Sequence, residues 1–329
     1  MTTTYRAAVC RELGDPRVLR IEDIARAPLP QGWVRVRLAA CGVNFPDLLM
    51  VAGRYQYKPD LPFSPGMEAA GEIIEIAGDV AGLALGQSVI TRHRFGGFAQ
   101  EIALPARDCL PMPQAFSFNE AACFTAAHMT AFHALTTRAA LQPGETLLVF
   151  GAAGGVGLAA VEIGKHLGAR VIAVASSEDK REAARQRGAD ETLAADAPDL
   201  TARIRALTDG AGVHVIFDPV GWPPEEATRM IAFGGRILIV GFAAQIPIYP
   251  ANRVLLKGAS LVGVRAGEFG RAFPQARKDE MKKLMALAAS GALHPFVSKT
   301  FPLEQAADAL QWLAERRAIG RVAITMEPS

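Results

Sequence analysis

The sequence predicts an α/β protein built from a doubly wound parallel sheet and a mainly β domain ahead of it. Three observations carry that prediction: a strand running into a glycine-rich turn and then a helix near residue 150, an alternation of apolar runs and helical patterns after it, and a Pro- and Gly-rich texture before it.

Leu147-Leu148-Val149-Phe150 is a short apolar strand. It hands over through Gly151-Ala152-Ala153-Gly154-Gly155-Val156-Gly157 to a helical pattern that begins Leu158-Ala159-Ala160. Small residues at such a turn let unpaired backbone N–H groups and the helix dipole face a pyrophosphate without side chains in the way. Gly154 and Gly157 keep the second and third positions of the dinucleotide fingerprint, and Ala152 replaces the first. Gly154, Gly155, Val156 and Gly157 are therefore the expected phosphate cradle.

The helix after the turn ends at Leu167-Gly168, where Gly168 can take the left-handed conformation before a second strand, Arg170 to Ala175. Glu178 to Arg187 is again helical, and Val213 to Phe217 and Arg236 to Val240 are buried-strand runs. This alternation argues for a parallel sheet. In NAD-binding versions an acidic residue closes the second strand about 20 residues after the fingerprint and binds the ribose. Here Ala175 holds that place, followed by Ser176, Ser177, Lys180 and Arg181, hydroxyls and cations that suit a 2′-phosphate. NADPH is expected over NADH. Glu178 and Asp179 read as first-turn acids of a helix capped by Ser176 or Ser177.

Ahead of the cradle, Trp33 to Ala39 and Gly71 to Ala77 are strand candidates between Pro- and Gly-rich turns, and Phe118 to Ala140 is an Ala-rich helical stretch. After Gly263 come a helix, Asp279 to Ser290, an extended segment around Pro295 to Phe301, a helix, Leu303 to Arg316, and a terminal strand, Arg321 to Met326, a tail able to return to the first domain.

With 329 residues, half of them hydrophobic, the chain can bury a large core and is expected to split into two domains. Its net charge is +2, from 35 basic and 33 acidic residues without long like-charge blocks, so electrostatics imply neither a nucleic acid nor an anionic membrane. The four cysteines, Cys10, Cys41, Cys109 and Cys123, form no Cys-x-x-Cys pair and read as reduced thiols. Met1 to Arg6 lacks an apolar signal core, and no stretch of about 18 apolar residues occurs. A cytoplasmic protein is expected. The six histidines show no metal spacing; His128 and His133 are five apart, and His166 and His214 read as structural.

The whole chain resembles the zinc-independent quinone oxidoreductase group of the medium-chain dehydrogenases/reductases, the group that includes zeta-crystallin. The resemblance is carried by Ala40-Cys41-Gly42-Val43-Asn44-Phe45-Pro46-Asp47, Pro65-Gly66-Met67-Glu68-Ala69-Ala70-Gly71, the cradle, Phe217-Asp218-Pro219-Val220-Gly221 and Asn252-Arg253-Val254-Leu255-Leu256-Lys257-Gly258. It implies a Rossmann domain over residues 125–265 and a discontinuous GroES-like catalytic domain from 1–124 and 266–329. It also implies a homodimer, consistent with an apolar edge strand Ser260 to Val264 that needs a partner.

Where zinc-dependent relatives place three catalytic ligands, this chain has Asn44, Met67 and Ala126, and their four-cysteine structural lobe is missing between Thr91 and Cys109. No metal is expected. The resemblance implies hydride transfer to a small, already electrophilic acceptor, a quinone or an α,β-unsaturated carbonyl, with water able to deliver the proton. It places Asn44 beside the nicotinamide and substrate as a hydrogen-bonding and catalytic residue, where an Asn capping the turn before Phe45-Pro46 is the plainer alternative. Tyr55 is a cleft-facing acid or a rim aromatic. Thr130, Val240, Gly241, Phe242 and Ala243 are implied cofactor contacts, and Arg316 reaches cofactor phosphate or is a solvated helix-face residue. An enoyl- or acryloyl-thioester reductase differs only in acceptor. A non-catalytic NADPH-binding or RNA-binding crystallin-like protein is the reading from another class, and the balanced charge disfavours RNA.

Overall fold

The computed structural model describes residues 4–326. The chain forms two compact units: one comprises the chain up to Ala126 together with the stretch from His294 onward, the other Ala127–Leu293.

The second unit is built on a six-stranded sheet. Its strands run in the order Glu191–Ala194, Arg170–Ala175, Thr146–Phe150, Val213–Asp218, Ile231–Ile239, Ser260–Gly263, all parallel. This is the Rossmann order, and the direction of winding reverses between Thr146–Phe150 and Val213–Asp218, the crevice where such sheets take their ligands. A central parallel strand is covered on both faces. Leu147, Leu148, Val149 and Phe150 are accordingly all buried, and each stabilises the sheet by roughly 1.5–3 kcal/mol relative to exposure. The expected strands and the Glu178–Gln186 helix form, and Gly168 has φ +80° at the helix end. The short strand Glu191–Ala194, half-polar and only half-buried, carries no periodicity that sequence reading could use.

The first unit carries a mainly antiparallel sheet. Trp33–Val43 lies at its centre, bonded to Glu68–Ile76, Glu101–Pro105 and Arg321–Thr325; Ser88–Arg92 and Cys109–Pro111 extend one side and Val297–Pro302 the other. A separate hairpin joins Thr4–Val9 to Arg20–Ala25. The terminal strand does return to this unit, with Ile324 opposite Cys41. Val34, Val36, Leu38, Ile73, Val89, Phe98, Leu310 and Ile324 are part of its core.

Three expectations change. The stretch from 118 to 140 is not one helix but Phe118–Ala122, Thr125–Phe132 and a wider π-type segment, His133–Arg138. The helix expected to span Leu303 to Arg316 begins as a 3₁₀ turn and stops at Ala314. Residues 266–293, expected with the catalytic domain, fall within the second unit instead. The helix Pro274–Ala289 presents the buried Glu280 to that unit, with its Oε1 2.8 Å from His133 Nδ1 and also bonded to Thr137. All four cysteines are free and buried, and among the described residues no helix is long and apolar enough to cross a membrane.

Candidate functional site

The second unit holds the cradle. The helix Gly155–His166 starts from Gly154, which has no side chain to cap it, so the first-turn amides face outward without a side-chain acceptor of their own. Gly157 is required by close approach: a Cβ there would sit 2.3 Å from the Gly151 carbonyl oxygen and 2.9 Å from Ala152 backbone. That is the helix-to-strand packing role of the third fingerprint glycine. Ala152, at the first position, and Ala153 are both buried. These features fit a bound pyrophosphate.

At the end of the next strand, Ala175 is buried and uncharged, and Ser176 and Ser177 are exposed. Ser177 caps the following helix, its Oγ accepting from Lys180 N at 3.4 Å, and the Lys180 ammonium donates to Ser176 Oγ at 3.4 Å. Glu178 is drawn away by Arg181 Nη2 at 2.7 Å and by Arg185. Two hydroxyls and an ammonium therefore stand together at the end of this strand, with Glu178 held by two arginines.

Val240 and Gly241 follow the fifth strand and donate to Asp218 O at 2.9 and 3.3 Å, while Ala243 N donates to Pro219 O. The segment thus lies over the end of Val213–Asp218, with Phe242 half-exposed. Asp218 accepts from the amides of Val220, Gly221 and Trp222 at 2.8–2.9 Å, which fixes this loop at the winding reversal. Thr130 lies in the helix Thr125–Phe132 and is partly accessible.

The first unit holds a buried polar cluster around Asn44, the residue before the helix Phe45–Val51. Arg321 Nη2 donates to Asn44 Oδ1 at 3.0 Å and to Glu68 Oε1 at 2.6 Å. Asn44 Nδ2 donates to Glu68 Oε1 at 3.2 Å and to Gly42 O at 3.3 Å. Glu68 Oε2 accepts from Thr125 Oγ1 and Ala126 N, both at 2.7 Å. The donors and acceptors assign the Asn44 amide uniquely: both N–H bonds are taken, and the free capacity is a lone pair on Oδ1. Asn44 Oδ1 can thus accept a hydrogen bond from a hydroxyl without rearrangement. It can donate to a substrate oxygen only by giving up Gly42 or Glu68.

Sequence reading missed Glu68, Thr125 and Arg321. The available signal was a lone arginine beside the apolar run Val322-Ala323-Ile324 of a buried strand, which demands a partner. Burial pushes the Cys41 thiol well up and the Cys123 thiol to about 12, so neither supplies a thiolate. Burial also lowers His93 to about 4, with the Gly66 backbone acting in the opposite direction, which keeps the ring neutral.

Asp47 lies in the same cluster, fully buried, accepting from Asn44 N at 2.8 Å and Gly66 N at 3.0 Å. Burial pushes its carboxyl up from 3.8 to about 7, against the lowering effect of those two bonds. The folded state therefore holds this proton more tightly than the unfolded chain. The stability gained is present below the ordinary value and is lost as pH rises through about 7. Urea unfolding across that range should show stability falling with pH, with a flatter slope in Asp47→Asn. Equal slopes would refute the assignment.

Tyr55 stands at the start of the loop that follows the Phe45–Val51 helix, its amide bonded to Leu49 O at 3.1 Å and its ring packed on the core. Arg316 is exposed just past the helix Ala306–Ala314, with φ +57°. Among the described residues no three His, Cys, Asp or Glu side chains form a metal-ligand group.

Comparison with known proteins follows the same division. The family model for an alcohol dehydrogenase GroES-like domain matches residues 30–114, and that for a zinc-binding dehydrogenase matches 155–290. The chain is 36% identical over 326 residues to the quinone oxidoreductase-like protein 2 homolog of Nematostella vectensis, covering 98% of this chain and 89% of that one. A probable oxidoreductase from Mycobacterium abscessus superposes with a TM-score of 0.89 at 34% identity, covering 98% of this chain and 99% of that one. A mycobacterial protein solved in complex with NADPH gives 0.88 at 28% identity, covering 97% and 99%.

Proposed function

This chain belongs to the quinone oxidoreductase family of the medium-chain dehydrogenases/reductases, and from that premise we propose that it is an NADPH-dependent, zinc-independent reductase of quinones or α,β-unsaturated carbonyls. The observation that carries the reading is the Asn44–Glu68–Arg321 cluster. At the position of a zinc ligand the chain places an amide already bonded to a buried ion pair, with Met67 and Ala126 at the other two positions. An amide, a thioether and a methyl group do not make a zinc site.

Without a Lewis acid, the acceptor has to be electrophilic beforehand. The bound nicotinamide supplies the hydride. The chain supplies the cradle at Gly154, Gly155, Val156 and Gly157, the 2′-phosphate group of Ser176, Ser177 and Lys180, and the wall segment Val240, Gly241, Phe242 and Ala243. Thr130 and Arg316 are further cofactor contacts in this proposal. Asn44 Oδ1 accepts a hydrogen bond from a hydroxyl, and the Tyr55 hydroxyl donates to the oxygen that gains charge. The NADPH complex of the mycobacterial relative supports the cofactor choice.

Lys180→Ala should lower the preference for NADPH over NADH by about tenfold, the scale of one charge-assisted contact. An unchanged ratio of the two apparent affinities would count against the 2′-phosphate role. The edge strand Ser260–Gly263, bonded on one side only and close in sequence to the exposed Leu255 and Leu256, supports a homodimer, which the mass in solution decides. The acceptor class is tested by following NADPH oxidation with a panel of quinones and enones.

A further inference from the structure

We infer that Glu280 is a positioning residue for cofactor binding: it holds the π-type turn His133–Arg138 in place, and that turn sets the face that Thr130 presents. The inference rests on the reading of Thr130 as a cofactor contact. Two histidines that show no metal spacing carry it. His128 Nε2 lies 3.2 Å from Glu162 Oε2, on the cradle helix Gly155–His166, and His133 Nδ1 lies 2.8 Å from Glu280 Oε1, on the helix Pro274–Ala289. Thr130 stands between the two histidines in sequence, and all five residues belong to the second unit.

The helix Thr125–Phe132 runs directly into the π-type turn, where Ala139 N donates five residues back to Ala134 O at 2.8 Å. At the junction Thr136 Oγ1 donates to Phe132 O at 2.7 Å. Such turns are rare and recur at functional sites. One extra residue offsets everything before it: relative to an unbroken α-helix, Thr130 is turned by about 100° and displaced by about 1.5 Å along the axis.

The side chain that ties this turn is Glu280. Its Oε1 stands against His133 Nδ1 and accepts from Thr137 Oγ1, so one oxygen joins the first and fifth residues of the turn. The Phe269 ring packs on His133 with centroids 4.3 Å apart, and Arg277 Nη1 lies 3.7 Å from Glu280 Oε2. His133 and Glu280 are both buried. Buried polar pairs are weak stabilisers compared with apolar packing, and their best-attested use is to fix register. The register set here is carried along the helix to His128, which meets the cradle helix through Glu162, and to Thr130.

The test is a double-mutant cycle on the Kd for NADPH, titrated by fluorescence with the full-length chain, for Thr130→Val, Glu280→Ala and the pair. Thr130→Val alone should raise Kd about fivefold, the scale of one hydrogen bond, and Glu280→Ala alone about as much. In the Glu280→Ala background, Thr130→Val should then change Kd by less than about twofold. Glu280→Gln keeps an acceptor for His133 and Thr137 and should restore the wild-type response to Thr130→Val. Lys180→Ala should raise Kd by the same factor in either background. If Glu280→Ala does not fold, Thr137→Val takes one donor from the same oxygen and carries the same cycle with a smaller coupling. Equal factors for Thr130→Val in both backgrounds make Glu280 a structural residue only and overturn the inference, while the reading of Thr130 stands. A Lys180→Ala factor that disappears together with that of Thr130→Val means general loosening of the unit and overturns it as well. No effect of Thr130→Val in the wild-type chain removes Thr130 from the cofactor site and defeats reading and inference together.

Discussion

Arg321→Met is expected to lower the unfolding free energy by about 3–5 kcal/mol, the cost of leaving a buried carboxylate without its counter-charge. Glu68 and Arg321 are both buried, and the bond between them is 2.6 Å long. Removing the guanidinium takes a charge from Glu68 Oε1 and the donor from Asn44 Oδ1 together. The amide then loses the constraint that fixes its orientation. Pairing Arg321→Met with Glu68→Gln should recover part of the loss, because no charge is left stranded, even though the packing defect persists. Urea unfolding of the two single variants and the double variant measures this. A double variant as unstable as the sum of the singles would mean that the ion pair and its hydrogen bonds are not what stabilises the cluster.

Gly157→Ala should weaken NADPH binding by about 5- to 150-fold, corresponding to the roughly 1–3 kcal/mol that overpacking costs. A Cβ at this place meets backbone atoms, the Gly151 carbonyl oxygen at 2.3 Å and Ala152 C at 2.9 Å, so no side chain can swing aside to admit it. The turn has to open, and the amides at the helix start, the proposed pyrophosphate donors, lose their aim. A Cβ at Gly154 would have only the Gly151 oxygen near it, at 3.4 Å, and Gly154→Ala should cost less. Fluorescence titration of the folded variants gives both values. Unchanged affinity in Gly157→Ala would remove the turn from the cofactor site.

The Rossmann half of the fold was legible because its signals are local. An apolar run, small residues at a turn, and a positive-φ glycine at Gly168 each follow from a few neighbouring residues. The proximity of Lys180 and Ser176 was legible for the same reason, because they lie four positions apart across a helix start. The Asn44 cluster was not. Its partners lie 24 and 277 positions away in sequence, and only strand register brings Glu68, Arg321 and Asn44 together. The resemblance located Asn44 as a hydrogen-bonding residue, and the register shows which partners its amide already has, Gly42 O and Glu68 on the nitrogen and Arg321 on the oxygen. The domain return was misjudged because residues 266–293 carry no cue to which core receives them. The buried Glu280 against His133 shows it only in three dimensions.

The most direct test of the central claim is NADPH oxidation with a reactive quinone and an enone, by protein stripped of metal with a strong chelator and assayed for zinc. Turnover is expected at the same rate before and after stripping, without stoichiometric zinc. Tight NADPH binding with no turnover on any acceptor, or a rate lost on chelation and restored by zinc, would contradict it.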